Sequence, residues 1–459
     1  MSIITEKEKI IAHKCVEYAL RHGASAVRVS LNKSTNDGCT ILNGELDKVT
    51  HAADRSVFIY IYADSRYGTF STNRLSDAEL EEFISGAIRM VKMLGEDACR
   101  SLPEPDRTAK DAVTGLELGL YDGRYLDADV QERLDRAHAI SIIEENAVDT
   151  AEGYTVLSEE CEYNESFDDM YLIDSQGFEG RHAETSFSCF SEITIADKEG
   201  NRFSGYWWDM SPEYDRLDFQ ECGRNALQKA VSQIGPKKRR SGRYRMVVDR
   251  NVASRLVSPL INALNATSIQ QKMSFLEGTK DRKVFSEGMT LKDMARTPGK
   301  TGSRLFDSEG VSTTDAPVIE NGVVKKYFVN TYMANKMGIS PTVEDISRPC
   351  LMPYMKGNPL MSGEKSISLE DILRYCGNGI LVTGFNGGNS NPVTGDFSFG
   401  IEGFAFSRGK ITHPVREMLI TGNLTGLWNN LTAVGTDARS SSRWQIPTLA
   451  FEEVSFSGE

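Results

Sequence analysis

Histidine, cysteine and basic charge are all scarce in this chain, and each scarcity removes a class of function. Only six histidines occur in 459 residues (13, 22, 51, 138, 182 and 413), and none pairs with another at i,i+3 or i,i+4. No helix therefore presents two imidazoles to one metal ion. The eight cysteines (15, 39, 99, 161, 189, 222, 350, 376) are nowhere within twenty residues of one another, so neither a CxxC clip nor a disulfide framework is available. Reduced thiols and a cytoplasmic location are expected, with Cys189 as core filler between Phe187 and Phe190. The formal net charge is -13, which argues against a nucleic-acid-binding surface. No apolar run is long enough to span a bilayer, and the charged first residues lack a signal-peptide core. Walker loops, GxGxxG and a GxSxG nucleophile elbow are missing as well, so no nucleotide cofactor and no metal is expected.

What the chain does contain is an alternation of periodic segments. Glu6 to Arg21 has helical apolar spacing and stops at Gly23. Ala26 to Leu31 alternates as a strand, and Cys39–Leu42 and Glu45–Val49 form a hairpin across Asn43-Gly44. Ser56 to Tyr62 follows as a strand, then a helix from a Ser76 cap to about Leu94, read as a capping box, and a long helix from Leu126 to Val148. Met170–Asp174, Ser186–Ala196 and Arg202–Trp208 read as antiparallel strands, and Leu217–Ile234 as a helix. Gly235-Pro-Lys-Lys-Arg-Arg-Ser-Gly242 breaks the pattern and marks a boundary; its charges read as a solvated linker. Beyond it come a strand at Tyr244–Asp249, a helix capped by Asn251 and running to about Asn265 through Pro259, a second Asn-Gly hairpin at 319–324, and short helices near 331–337 and 369–376. The expected fold is α+β: an N-terminal α/β domain (1–235) with helices on a mixed sheet, and a β-rich, barrel-like C-terminal domain (236–459).

The segment Gly384 to Gly400 concentrates glycine, asparagine, proline and aspartate between the apolar runs Ile380–Val382 and Phe404–Phe406. It reads as an ordered loop clamped by core strands, where folds place binding sites. Asn386, Asn389, Asn391, Thr394 and Asp396 are its candidate ligand-binding residues; the competing reading is that these side chains satisfy the loop's own backbone through Asx turns.

Asn391-Pro-Val-Thr-Gly-Asp-Phe-Ser-Phe-Gly400 is followed by Gly403-Phe404, His413-Pro-Val-Arg-Glu417 and Thr421-Gly-Asn-Leu-Thr-Gly-Leu-Trp428. In these motifs the chain resembles the TldD/PmbA family, also described as modulators of DNA gyrase. Phe306–Gly310, Ile319–Tyr327, the Asn43-Gly44 hairpin and Asp64–Gly68 extend the resemblance over nearly the full length. It implies one of two subunit types. TldD-type members resemble zinc proteases with His-Glu-x-x-x-His on a helix and a cysteine near the C-terminus; PmbA-type (TldE) members lack both and pair with TldD. Here Ser258-Pro-Leu-Ile-Asn-Ala263 stands at the motif position, so Ser258, Pro259, Asn262 and Ala263 replace the zinc-binding side chains, and 437–447 holds no cysteine. The resemblance thus implies a PmbA/TldE-like subunit without zinc, dimerising with a TldD-type partner or with itself around a cavity for extended peptides. The alternatives are a regulatory protein acting on gyrase or a toxin–antitoxin system, and a stand-alone homodimeric hydrolase using Ser258 and Asn262.

Overall fold

The computed structural model describes residues 3–126, 128–143, 153–357 and 366–458. The chain divides into two compact units: Met1–Ile234 with Arg296–Thr313 and Ala334–Gly338, and Gly235–Ala295 with Thr314–Met333 and Ile339–Glu459.

The first unit is built on six strands: β1 (Ala26–Leu42), β2 (Glu45–Ala63), β3 (Arg66–Thr72), β4 (Tyr154–Asp174), β5 (Glu179–Asp197) and β6 (Arg202–Ser211). Their order is β3-β2-β1-β4-β5-β6. Every pairing is antiparallel, so this sheet is not mixed as the helix–strand alternation led one to expect. The hairpin logic holds: Asn43 (φ 52°) and Gly44 (φ 82°) supply the two left-handed residues that join β1 to β2. The strands are much longer than the sequence pattern suggests. β1 is one strand of 17 residues rather than two short ones, because Lys33, Thr35 and Asp37 are buried polar residues that interrupt the apolar alternation without interrupting the ladder. Helices α1 (Glu6–Arg21) and α2 (Asp77–Val91) pack Ala12, Cys15, Ala19, Leu80, Ile84 and Ile88 against Val27, Val29, Ile59 and Ile61. The long helix expected from Leu126 is a short 3-10 turn (Gly123–Leu126) followed by α3 (Val130–His138); residues 139–143 are not helical, and 144–148 lie outside the described residues. The next helix, α4 (Phe219–Ser232), covers Ile193, Ile195 and Phe203.

The second unit opens with β7 (Gly242–Val248), α5 (Ser254–Ala263) and α6 (Ala266–Gln270). Short strands β8 (Leu291–Asp293), β9 (Ala316–Glu320), β10 (Val323–Val324) and β11 (Pro349–Leu351) form a small sheet, with α7 (Thr331–Met337) between β10 and β11 in the chain. The rest comprises β12 (Tyr354–Met355), α8 (Leu369–Cys376), β13 (Gly379–Ser390), β14 (Asp396–Ser407), β15 (Lys410–Asn423), α9 (Leu424–Asn429), β16 (Leu431–Val434) and β17 (Leu449–Ser457). β7 pairs parallel with β13 at one side and antiparallel with β17 at the other. The circuit β7-β13-β14-β15-β17 therefore closes into a five-stranded barrel, as the β-rich expectation implied. Its interior and α8 bury Val247, Leu381, Phe406, Ala450, Ile372 and Leu373 together. No described helix is long and apolar enough to cross a membrane.

Candidate functional site

β13 stays in the barrel only as far as Val382, where its pairing with β7 ends. From Gly384 on it continues as one arm of a hairpin with β14, so the glycine-rich segment is two bulged strands around a tight turn, not a loop. Bulges after Val382 and Asn386 absorb its irregular composition. The second requires glycine: Gly388 sits at φ +80°, and a Cβ there would meet the Ser398 carbonyl oxygen at 2.0 Å. The other arm is anchored by Phe397 and Phe399, both buried, with ring centroids 5.3 Å apart.

The turn consumes most of its own polar groups. Asn391 Oδ1 accepts from the Val393 N–H at 2.9 Å, and the Asn391 N–H donates to the Asp396 carbonyl at 2.7 Å. Thr394 Oγ1 donates to Asp396 Oδ2 at 2.7 Å, while Asn423 Nδ2 donates to Asp396 Oδ1 at 3.0 Å. These bonds, from Asn423 first and Thr394 second, hold the Asp396 carboxyl below its ordinary range. Asn386 donates to Glu402 Oε1 at 3.1 Å. Of the five hairpin candidates, four are thus engaged within the hairpin and its neighbour. Asn389 alone has a side chain free of hydrogen bonds among the described residues and faces a cleft.

Helix α5 forms the facing wall of that cleft. Leu256, Val257, Leu260 and Ile261 are buried, and Trp428 Nε1 donates to the Leu256 carbonyl at 3.3 Å. The opposite stripe, Arg255, Ser258, Pro259 and Asn262, follows the i, i+3, i+4, i+7 rule and lines the cleft. The expected Asn251 cap is not formed: Asn251 instead bonds to Asp249 Oδ1 through both its backbone and side-chain nitrogens, and Ala253 stands at the helix start. The cleft holds about 250 Å³, and Ala263, Ser268, Met273, Phe275, Ser390, Pro392 and Phe399 complete it. The structure brings Ser258, Pro259, Asn262, Ala263 and Asn389 into one site; Asn386, Asn391, Thr394 and Asp396 do not line it. The side chains of Ser258, Asn262, Ser268 and Asn389 make no hydrogen bonds among the described residues, so their polar atoms are available to a ligand.

Three consecutive family models match this chain. They are described as domain 1, the central domain and the C-terminal domain of the PmbA/TldA metallopeptidases, over residues 27–91, 124–234 and 241–458. The chain belongs to the PmbA/TldD family. It is 27% identical to a metalloprotease PmbA homolog of Haemophilus influenzae, covering 96% of this chain and 94% of the relative. A solved structure from Bacteroides thetaiotaomicron, described as a candidate modulator of DNA gyrase, is 37% identical and covers both chains completely with a TM-score of 0.92. The fold is shared with TldE from Thermococcus kodakarensis at a TM-score of 0.76, 19% identity and coverage of 98% of this chain and 100% of that one.

A family of metallopeptidases raises the question of zinc, and the residues at this site do not fit it. Pro259 and Ala263 carry no donor atom, and Ser258 and Asn262 offer neutral oxygens rather than imidazole or thiolate. Among the described residues, no group of three or more His, Cys, Asp or Glu side chains is arranged to hold a metal ion. The C-terminal segment, which lacks a cysteine, approaches the residues preceding α5 with arginine contacts. Arg250 Nη1 donates to the Asp437 carbonyl at 2.9 Å, and Arg439 Nη1 donates to Asn251 Oδ1 at 3.2 Å.

The lining residues that sequence reasoning missed fall into two groups. Arg255 was legible, since it is three residues before Ser258 on the same helical stripe. Ser268 sits in the five-residue helix α6, too short to show a period, and Met273 and Phe275 come from irregular chain after it. The basic run Lys237–Arg240 is exposed or half-buried, and Lys238 lies 3.6 Å from Glu417.

Proposed function

We propose that this chain is a PmbA/TldE-like subunit that holds an extended peptide while hydrolysis belongs to a zinc-binding TldD-type partner. The observation that carries this reading is the composition of α5 at the cleft: the positions that correspond to the zinc site of zinc-binding relatives are here Ser258, Pro259, Asn262 and Ala263. A second feature supports the peptide. Beyond Val382, β13 pairs only with β14 among the described residues, which leaves its other edge open alongside the cleft. An open edge offers backbone donors and acceptors to an added strand with little sequence selectivity. Arg255 Nη2 already donates to one of these groups, the Gly388 carbonyl, at 3.3 Å. Asn389, Ser258 and Asn262 would then read the peptide's polar groups. Pairing with a TldD-type chain or a second copy, and a cytoplasmic setting, belong to the same proposal.

A hydrolase working from Ser258 finds no support, because no His, Asp or Glu lines the cleft to act as its base. A regulatory contact with gyrase draws on the description of the Bacteroides relative. With a formal net charge of -13, such a contact would be made to protein, not DNA. The deciding experiment purifies the chain alone and with a TldD-type partner, then measures zinc content, peptide binding and peptide cleavage. The chain alone is expected to bind an extended peptide without cleaving it and without stoichiometric zinc. Tightly bound zinc together with peptidase activity in the isolated chain would overturn the reading, and recovery of gyrase in place of a TldD-type chain would favour the regulatory one.

A further inference from the structure

The cleft between α5 and the β13–β14 hairpin has one charged side chain in its lining, Arg255, and no carboxylate. Other arginines of the second unit are differently placed: Arg243, Arg245 and Arg374 lie 3.3, 3.8 and 2.9 Å from Glu453, Glu452 and Asp371. Arg255 has no ion-pair partner among the described residues. Its Nη2 donates to the Gly388 carbonyl and its guanidinium lies near the Phe399 ring, but neither contact supplies a negative charge. Nε and Nη1 make no hydrogen bond among the described residues, so N–H groups remain for an anion. The acidic residues of the flanking segments are committed elsewhere. Asp396 is held by Thr394 and Asn423, Glu402 accepts from Asn386, and Glu277 pairs with Lys272; none of the three lines the cleft.

The neutral groups of the lining suit the same kind of ligand. Ser258, Asn262, Ser268 and Asn389 carry hydroxyl and amide donors whose side chains make no hydrogen bond among the described residues. A carboxylate accepts several hydrogen bonds at once and brings the charge that the guanidinium has no partner for. An ammonium group would instead meet Arg255 with no acid in the lining to offset it. We infer that the cleft takes a carboxylate carried by the extended peptide, with its charge on Arg255 and its remaining lone pairs on the hydroxyl and amide donors. The inference rests on the proposal that this cleft binds an extended peptide, and it narrows that peptide to one with an acidic side chain or a free C-terminus beside the β13 edge. Backbone pairing along an open edge selects little, so Arg255 sets the charge preference of the site.

The test titrates the full chain with short acetylated Thr/Val peptides that carry a neutral fluorophore and have Gln, Glu or Lys at the centre and an amidated C-terminus. A further version pairs the Gln centre with a free C-terminal carboxylate. The Glu peptide, the free-carboxylate peptide or both should bind about three- to fivefold tighter than the amidated Gln peptide at low ionic strength, and the Lys peptide more weakly than it. Which of the two gains tells an acidic side chain from a C-terminus as the source of the carboxylate. Arg255→Gln should bring the ratio of carboxylate to neutral affinity close to one, and Arg255→Lys should keep most of it. A cleft that merely loosened would weaken every peptide alike and leave the ratio unchanged, and thermal melts check that both variants are folded. Equal affinity of the neutral and carboxylate peptides, tighter binding of the Lys peptide, or a ratio that persists in Arg255→Gln would overturn the inference while leaving the peptide-binding proposal intact. Failure of every peptide to bind would overturn both.

Discussion

Arg255 holds its guanidinium carbon 5.4 Å from the ring centroid of Phe399, tying the polar stripe of α5 to the hairpin arm across the cleft. The same side chain reaches the Gly388 carbonyl, so one residue bridges both walls. Replacing it with methionine keeps much of the aliphatic stem and removes both contacts. An exposed cation–π contact is worth about 0.5–1 kcal/mol. Arg255→Met is therefore expected to lower stability by about 0.5–1 kcal/mol and to weaken binding of an extended peptide by loosening the walls of the cleft. Fluorescence anisotropy with a labelled peptide, alongside a thermal melt, measures both. Undiminished peptide affinity would show that the cleft is not the peptide's site.

Gly388 makes a sharper claim about the backbone. A side chain there is strained by the positive φ and collides with the Ser398 carbonyl oxygen. Gly388→Ala should cost about 1–3 kcal/mol, concentrated in the hairpin. Hydrogen exchange of the β13 and β14 amides is the direct readout: faster exchange beyond Val382 with the barrel strands protected is expected. Uniform protection equal to the parent chain would mean that the bulge relaxes at no cost.

These two residues also mark how far the sequence could be read. The hairpins at Asn43-Gly44 and Asn321-Gly322 were legible because the required left-handed backbone leaves few residue choices. The glycine-rich segment was recognised as ordered and as a candidate site, yet its strands were hidden. Period-two apolar alternation does not survive Gly387 and Gly388, and only the pairing to β14 reveals a bulged ladder. Buried charge hid β1 and β4 in the same way, since Asp37, Glu165 and Asp169 read as surface residues until their partners Arg133 and Arg181 are placed beside them. The α5 stripe was read for what it lacks, but its meeting with Asn389 is a long-range contact that helical spacing cannot supply. Helix capping was legible only in part. The Ser76 hydroxyl bonds to Glu79 without capping the backbone, whereas the Thr5–Glu8 box of α1 is complete.

That capping box gives α1 a defined response to acid. Burial alone would raise the Glu8 carboxyl, but hydrogen bonds from the Thr5 backbone and from Lys33 outweigh it and bring it from 4.5 to about 2. A carboxylate held below its unfolded value contributes stability that is fully present above pH 4.5 and is lost as the pH falls through the folded value of about 2. Glu8→Gln should therefore lower the stability of the first unit at neutral pH and flatten its decline over that acidic window. Denaturant melts at pH 7, 4 and 2.5 test the sign. A parent-to-variant difference that grows on acidification would refute the assignment.

Asn391 and Asn389 are two residues apart, and they separate the two roles a polar hairpin can have. Asn391 accepts from the turn backbone through its side chain, and its own N–H and carbonyl close the turn with Asp396 and Gly395. Its amide is a structural acceptor, so Asn391→Ala should cost about 1 kcal/mol of stability and weaken peptide binding only as far as the turn loosens. The Asn389 side chain makes no hydrogen bond among the described residues and lines the cleft beside Ser258 and Asn262. Asn389→Ala should leave the melt within about 0.5 kcal/mol of the parent and reduce peptide affinity by about threefold or more. Measuring stability and peptide affinity for both variants decides which asparagine serves the fold and which the ligand. If Asn389→Ala destabilises the hairpin and leaves binding intact, the segment is a brace and the peptide must be sought elsewhere on β13.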